Sequence, residues 1–145
     1  MASLYGFDLL VADYIRQQQY SDISAVQLSA DLDQIRQAGQ PTPAYHVVPA
    51  TGPIVGDSSP DRTAYRIASR CHVIAAVENP TGQQAIIEQG DLLITRIAAL
   101  LVGWVPGQGY RQVTLLSPPL PMFQDEFGYF PLTIESEFTF NPGDQ

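Results

Sequence analysis

The chain has 145 residues, among them seven arginines, no lysine and 15 aspartates and glutamates, with a formal net charge of -8 and 45% hydrophobic residues. That length supports a single domain able to bury about 70% of its unfolded surface, and a charged fraction of 15% beside 10% aromatics excludes the composition of disordered chains. The acidic balance argues against coating of DNA or RNA, which needs clustered Lys and Arg.

From Leu4 to Gln18, Phe7, Leu10, Val11, Tyr14 and Ile15 recur at spacings of three and four, which predicts an amphipathic helix with Asp8 and Asp13 mostly outside its apolar face. Ala25 to Leu28 reads as a short strand, and Asp31 to Ala38 as a helical turn stopped by Gly39 and Pro41. Ala44 to Val48 is a strand between prolines, and Thr51 to Asp61, rich in Gly, Pro, Ser and Asp, is expected to be a surface loop.

Thr63 to Glu78 is the longest strand candidate. Tyr65, Ile67, Ser69, Cys71, Val73, Ala75 and Val77 point one way, and Arg66, Ala68, Arg70, His72, Ile74 and Ala76 the other. The second half is apolar on both faces, so the strand should run from an exposed edge into the interior.

Thr81 with Gln84 has the spacing of a capping box. In the helix it would open, Ile86, Leu93, Ile97, Leu100 and Leu101 form a buried stripe, with Glu88, Asp91 and Thr95 outside it. Gly103 stands where a left-handed cap ends a helix, Pro106 prevents continuation, and Trp104 is expected to pack on the sheet with Leu100 and Leu101. Tyr110 to Leu116 reads as a strand and Ser117 to Gly128 as a proline-containing loop. In the last strand, Phe130, Leu132, Ile134, Phe138 and Phe140 share one face while Thr133, Glu135, Glu137 and Thr139 share the other, before Asn141-Pro142-Gly143 ends it. The expectation is a single α+β domain over residues 1–145, a mixed, mainly antiparallel sheet packed with two main helices. With no basic run before the first apolar residues, and with Glu88, Gly90, Asp91 and Arg96 interrupting the stretch from Ile86 to Trp104, no secretion signal or membrane span is expected.

The search for chemistry yields little. Cys71 is the lone cysteine, and a zinc site from Cys71, His46 and His72 would need carboxylates from elsewhere, so no metal or cofactor is expected. Cys71 and His72 are adjacent on a strand, so their side chains point to opposite faces and cannot share a proton. His46, inside an apolar strand, reads as a hydrogen-bonded structural histidine. Gly107-Gln108-Gly109 follows a helix and precedes a strand, the reverse of a phosphate-binding loop. Glu135 and Glu137 lie side by side on one strand face, whereas a glycosidase pair flanks a cleft from different elements. No catalytic residue is therefore assigned.

What remains are contact candidates. Arg66 and Arg70, with Arg62 nearby, either pair with Glu135 and Glu137 inside the sheet or face a neighbouring subunit, and the sequence leaves both open. Leu120, Met122, Phe123 and Phe127 are apolar residues in a polar loop, which either mark a binding surface or fold back over the core.

The run Leu92-Leu93-Ile94-Thr95-Arg96-Ile97-Ala98-Ala99-Leu100-Leu101-Val102-Gly103-Trp104-Val105-Pro106, then a strand, a polar loop and Tyr129 to Phe140 ending in Glu137-Phe138-Thr139-Phe140, resembles the phage tail terminator proteins. The upstream order fits as well, with an N-terminal helix, Pro43-Ala44-Tyr45-His46-Val47-Val48 as a strand after a proline, and a long second strand. The resemblance implies a non-enzymatic virion protein, also called a minor tail or tail-completion protein, assembled in the host cytoplasm and located at the tail neck. It implies a hexameric ring on the head-proximal end of the tail tube that stops tube polymerisation and meets the head-completion or stopper protein, with DNA only passing through. A ring needs heterologous contacts, for which the loops Thr51 to Asp61 and Ser117 to Gly128 are candidates. The rival readings are a head-tail stopper or other neck component, and a small-molecule-binding or hydrolase domain that a pocket with converging polar groups would reveal.

Overall fold

Phe7, Val11 and Ile15 make one side of a helix apolar, and alternation makes one face of each long strand apolar, so burying both requires helices against a sheet. The computed structural model, which describes residues 2–35 and 41–144, has that arrangement. The elements in chain order are α1 (Phe7–Gln17), β1 (Ala25–Leu28), α2 (Leu32–Ile35), β2 (Ala44–Pro49), β3 (Ile54–Ser58), β4 (Tyr65–Glu78), α3 (Gln83–Leu101), β5 (Thr114–Leu116), β6 (Met122–Gln124) and β7 (Phe127–Phe140), closed by a 3-10 turn at Pro142–Asp144. The sheet runs β1-β2-β4-β7-β5. The β1–β2 pair is parallel and the other pairings are antiparallel, so the sheet is mixed as expected. Among the described residues no helix is long and apolar enough to cross a membrane.

The β4–β7 ladder is the backbone of the molecule, pairing Tyr65 with Phe140 through to Glu78 with Phe127 without a break. On one face, Ile67, Cys71 and Val73 of β4 and Leu132, Ile134 and Phe138 of β7 meet Phe7, Val11 and Ile15 of α1 and Ile86, Leu93, Ile97 and Leu101 of α3. On the other face a smaller apolar cluster holds Ile35, Val48, Ile74, Ala76 and Tyr129, with Met122 and Phe127 against it. That second cluster explains why the latter half of β4 is apolar on both faces.

Several expectations are corrected. Helix α1 begins at Phe7, and Leu4 and Tyr5 form a turn before it. The segment 51–61 contains β3, which lies on the same side of β4 as β2 and pairs Ile54 with Ala68 and Val55 with Ile67. Its residues stay largely exposed, so its own pattern carries no strand signal and the pairing comes from β4. For the same reason β4 is no edge strand, being flanked along its first half by β3 and β7. The loop 117–128 contains β6, hydrogen-bonded to the start of β7, and β5 is shortened to Thr114–Leu116, with Tyr110 reaching Phe138 only through an isolated bridge. Of the turn expected at 31–38, α2 covers the described part and residues 36–40 lie outside the described residues.

The expected capping box at Thr81 does not form. Helix α3 starts after Gly82, whose φ of +139° is open to glycine alone among ordinary residues, while Thr81 donates its N–H to Asn79 Oδ1 at 2.9 Å and Gln84 Nε2 donates to Glu88 at 3.1 Å. At the other end Gly103 has the positive φ that was expected, +90°, but no left-handed cap forms: the capping residue Val102 is extended, Gly103 is the third residue of a turn closed by Trp104 N–H donating to Leu101 O at 3.1 Å, and its own N–H donates to Val113 O at 2.8 Å. Trp104 follows it, but its partner is α1: the indole stacks on Tyr14 with ring centroids 4.1 Å apart and an interplanar angle of 4°. Trp104 is half-buried, so Trp104→Ala is expected to cost about 2–3 kcal/mol, less than the ~3–5 of a fully buried aromatic. About 0.5–1.5 kcal/mol of that should be coupling to Tyr14. Denaturant unfolding of the Tyr14→Ala, Trp104→Ala and double variants measures it, and strictly additive losses would show that the stack contributes nothing.

Candidate functional site

The open face of the sheet divides into a charged half and an apolar half. In the charged half, β4 and β7 are in register so that Arg70 faces Glu135 directly, and Ala68 stands opposite Glu137. Arg70 Nε donates to Glu135 Oε2, and Arg66 Nε lies 4.0 Å from Glu137 Oε2 on the diagonal. The cross-strand pairing that the sequence left open is therefore present within one chain. Arg62 lies apart from these pairs, in the β3–β4 turn with φ +58°, where its N–H donates to Ser59 O. In the same turn Asp61 accepts from the Ser59 and Thr63 hydroxyls, which holds its carboxyl below the usual range.

Because the Glu135 side chain is only 14% exposed, its partner matters more than a fully solvated one would. Arg70→Glu sets two carboxylates opposite each other and is expected to lower stability by about 1 kcal/mol. Exchanging the pair, Arg70→Glu with Glu135→Arg, should recover most of that in a thermal melt. A double variant no more stable than Arg70→Glu would show that the pairing itself contributes nothing.

The apolar half surrounds a cavity of about 310 Å³, lined by Val48, Ile74, Met122, Tyr129 and Pro131, with Leu120 and His72 also on it. The four apolar loop residues part company here. Met122 and Phe127 fold back on the second cluster, and Phe123, still exposed, sets its ring edge-on to Phe130 at 5.8 Å. Leu120 stays in solvent at 86% exposure.

The nucleophile and base candidates are kept apart. Cys71 is fully buried under the helices, and that burial pushes its thiol well above the ordinary range, which leaves it unreactive. His72 points to the opposite face and shares a 2.8 Å hydrogen bond with Thr133 Oγ1. His46 is fully buried, its Nδ1 3.1 Å from Ser29 Oγ, and burial lowers the pKa of both histidines. Among the described residues no three His, Cys, Asp or Glu side chains are grouped so as to hold a metal ion.

Sequence reasoning missed the surface formed by Leu4, Tyr5 and Leu9, of which Tyr5 is 81% exposed. Part of the signal was present, since Tyr5 and Leu9 fall off the apolar stripe of the predicted helix, whereas Leu4, three residues before Phe7, falls on it. It also missed the cavity, although the doubly apolar half of β4 required some cover on the open face.

No curated protein matches the chain in sequence. Among solved structures, a chain of the "Virion of native gene transfer agent (GTA) particle" shares the fold, with a TM-score of 0.61 at 12% sequence identity, covering 97% of this chain and 100% of that one. The model of the family described as phage tail terminator protein matches residues 7–143, from the first residue of α1 past the end of β7, and the chain belongs to that family.

Proposed function

We propose that copies of this chain close into a hexameric ring on the head-proximal end of a tail tube, stop its polymerisation and offer the free face of the ring to head-completion proteins. Membership of the family makes the chain a structural component of the virion tail, and that end-to-end match is the observation that carries the reading. The surface supports it. A ring is built from two different patches per subunit, and exposed apolar side chains occur both beside the start of α1 and at the loop before β6. Arg66 and Arg70, beyond their pairing within the sheet, and Arg62 in the β3–β4 turn add charged contacts for a neighbour. A net charge of -8 suits a ring that DNA passes through, because acidic walls repel phosphates rather than hold them.

Removing the protein from tail assembly tests this. Electron micrographs should show tubes of uncontrolled length without heads, since a growing polymer then lacks its cap. Tails of normal length joined to heads would overturn the proposal, and tails of normal length without heads would move the protein to the neck as a stopper.

A further inference from the structure

We infer that neighbouring copies in the ring are joined through an arginine, Arg62 at the tip of the β3–β4 hairpin of one copy entering the cleft between the start of α1 and the β2–β3 loop of the next and pairing there with Asp8. The inference rests on the ring proposed above and names a contact that closes it. The cleft has a volume of about 200 Å³, with Tyr5, Phe7, Asp8, Gly52, Ser69 and Arg70 among the residues that line it. Two of its polar groups lack partners among the described residues. The Asp8 carboxyl is half-buried, makes no hydrogen bond or ion pair, and is pushed above the usual carboxylate range by burial. Ser69 is 6% exposed, and its Oγ has no hydrogen-bond partner.

A desolvated carboxylate without a cation is unfavourable, and a carboxyl perturbed in this way inside a cleft marks a site for one. A guanidinium suits two acceptors in one cleft, because it carries five N–H donors in a planar fork. The exposed Tyr5 ring in the same lining offers a face on which the cation can rest.

Charge bookkeeping within the chain selects Arg62 of a second copy. The chain has seven arginines and no lysine. Arg16 pairs with Asp13, Arg66 with Glu137, Arg70 with Glu135 and Arg96 with Asp22, and Arg36 lies outside the described residues. Among the described residues this leaves Arg62 and Arg111 without a carboxylate partner. Arg111 follows Tyr110, whose hydroxyl is tied to Ser3 next to the cleft, so it stands on the cleft's own side of the molecule, whereas a ring joins two different patches. Arg62 stands at the far end of β3. The five residues of that strand span about 16 Å at ~3.3 Å per residue, too far for Arg62 to reach Asp8 of its own copy. Its turn is held in place, Arg62 N–H donating to Ser59 O and Ser59 N–H to Ala64 O, each at 2.9 Å, so little freedom is lost on docking. Of the other charges on the two patches, Arg70 is engaged by Glu135, Asp61 accepts from the Ser59 and Thr63 hydroxyls and from Thr63 N–H, and Asp57 stands on β3 away from the tip.

The test exchanges the charges. Asp8→Arg and Arg62→Asp, each alone, should reduce capped tubes at least tenfold in a tail-capping assay while melting as the wild type does; aspartate accepts the φ of +58° at position 62. The double variant should cap normally. So should an equimolar mixture of the two single variants, because every contact in a ring of alternating copies then pairs opposite charges. Normal capping by either single variant, or failure of the double variant or of the mixture, would overturn the contact while leaving the ring intact. Should Asp8→Arg melt lower, Asp8→Asn and Arg62→Asn carry the test instead, each reducing capping and their combination reducing it no further, and additive losses would overturn the contact. Tubes on which the wild-type chain forms no ring would overturn both the contact and the ring.

Discussion

Gly90→Val is expected to lower the stability of the fold by about 3 kcal/mol, the upper end of what overpacking of a dense interior usually costs. Gly90 is fully buried in the middle of α3, where glycine costs a helix about 0.5–1 kcal/mol relative to alanine. Its place there follows from Phe130. A Cβ on Gly90 would fall well inside 3.0 Å of three atoms of that ring. The ring has no room to withdraw: on β7 itself a Cβ at Gly128 would also press on Phe130 and on Ile86, and Phe123 meets the ring edge-on. Two glycines, one on each element, thus let α3 lie close on β7 with Phe130 between them. Gly90→Ala should lose less, about 1 kcal/mol, because better helix propensity offsets part of the clash. Combining it with Phe130→Leu should recover some of that loss. Urea midpoints for the three variants decide the point, and a Gly90→Ala protein as stable as wild type would show that the ring moves freely.

Gly90 also shows where sequence reading stops. The residue was visible as an interruption in an apolar stretch, but only the packed structure shows that it accommodates a ring from a strand some forty positions later in the chain. Long elements with a strong period were legible. The alternation of β4 and β7 predicted both faces correctly, because each face has its own partner layer and a slip of one residue would exchange them. Short or exposed elements were not legible. β3 and β6 are strands because β4 and β7 offer them hydrogen-bonding edges, and Ile54 to Ser58 or Met122 to Gln124 carry no period that could reveal this. The N-terminus of α3 was misplaced because Thr81 and Gln84 have capping spacing while Gly82, between them, takes a conformation that ends the preceding turn.

The same distinction holds for the candidate contact residues. Pairing of Arg66 and Arg70 with Glu135 and Glu137 was readable as one of two alternatives because strand parity places all four on one face. The separate fates of Leu120 and Met122 were not readable, since they depend on which loop residues reach Ile74 and Tyr129 across the sheet. Tyr5 was hidden by assigning it to a helix that begins two residues later.

Tyr45→Ala is expected to cost about 4–5 kcal/mol, the upper part of the range for large-to-small changes at fully buried aromatics, because the residue joins three elements through one hydroxyl. Tyr45 is fully buried on β2, and its hydroxyl donates to the Leu93 carbonyl of α3 at 2.7 Å. The same oxygen accepts from Arg96 Nη2 at 3.1 Å. Arg96 Nη1 in turn reaches both carboxylate oxygens of Asp22 at 3.1 Å, and the guanidinium lies 3.8 Å from the centre of the Tyr20 ring. Helix α3, strand β2 and the segment after α1 are thereby fastened at one point. Burial raises the pKa of the Tyr45 hydroxyl, with Arg96 acting in the opposite direction, so it stays protonated and able to donate at neutral pH. Tyr45→Phe keeps the ring and removes only the hydroxyl, which should cost about 1–2 kcal/mol for the lost bonds to a carbonyl and to a cation. The larger loss in Tyr45→Ala comes from the cavity left beneath α3. Where Tyr45→Ala fails to fold, Tyr45→Phe and Arg96→Leu still resolve the hydroxyl: coupled losses in the double variant confirm a shared network, and additive losses would show that the tyrosine acts only by filling space.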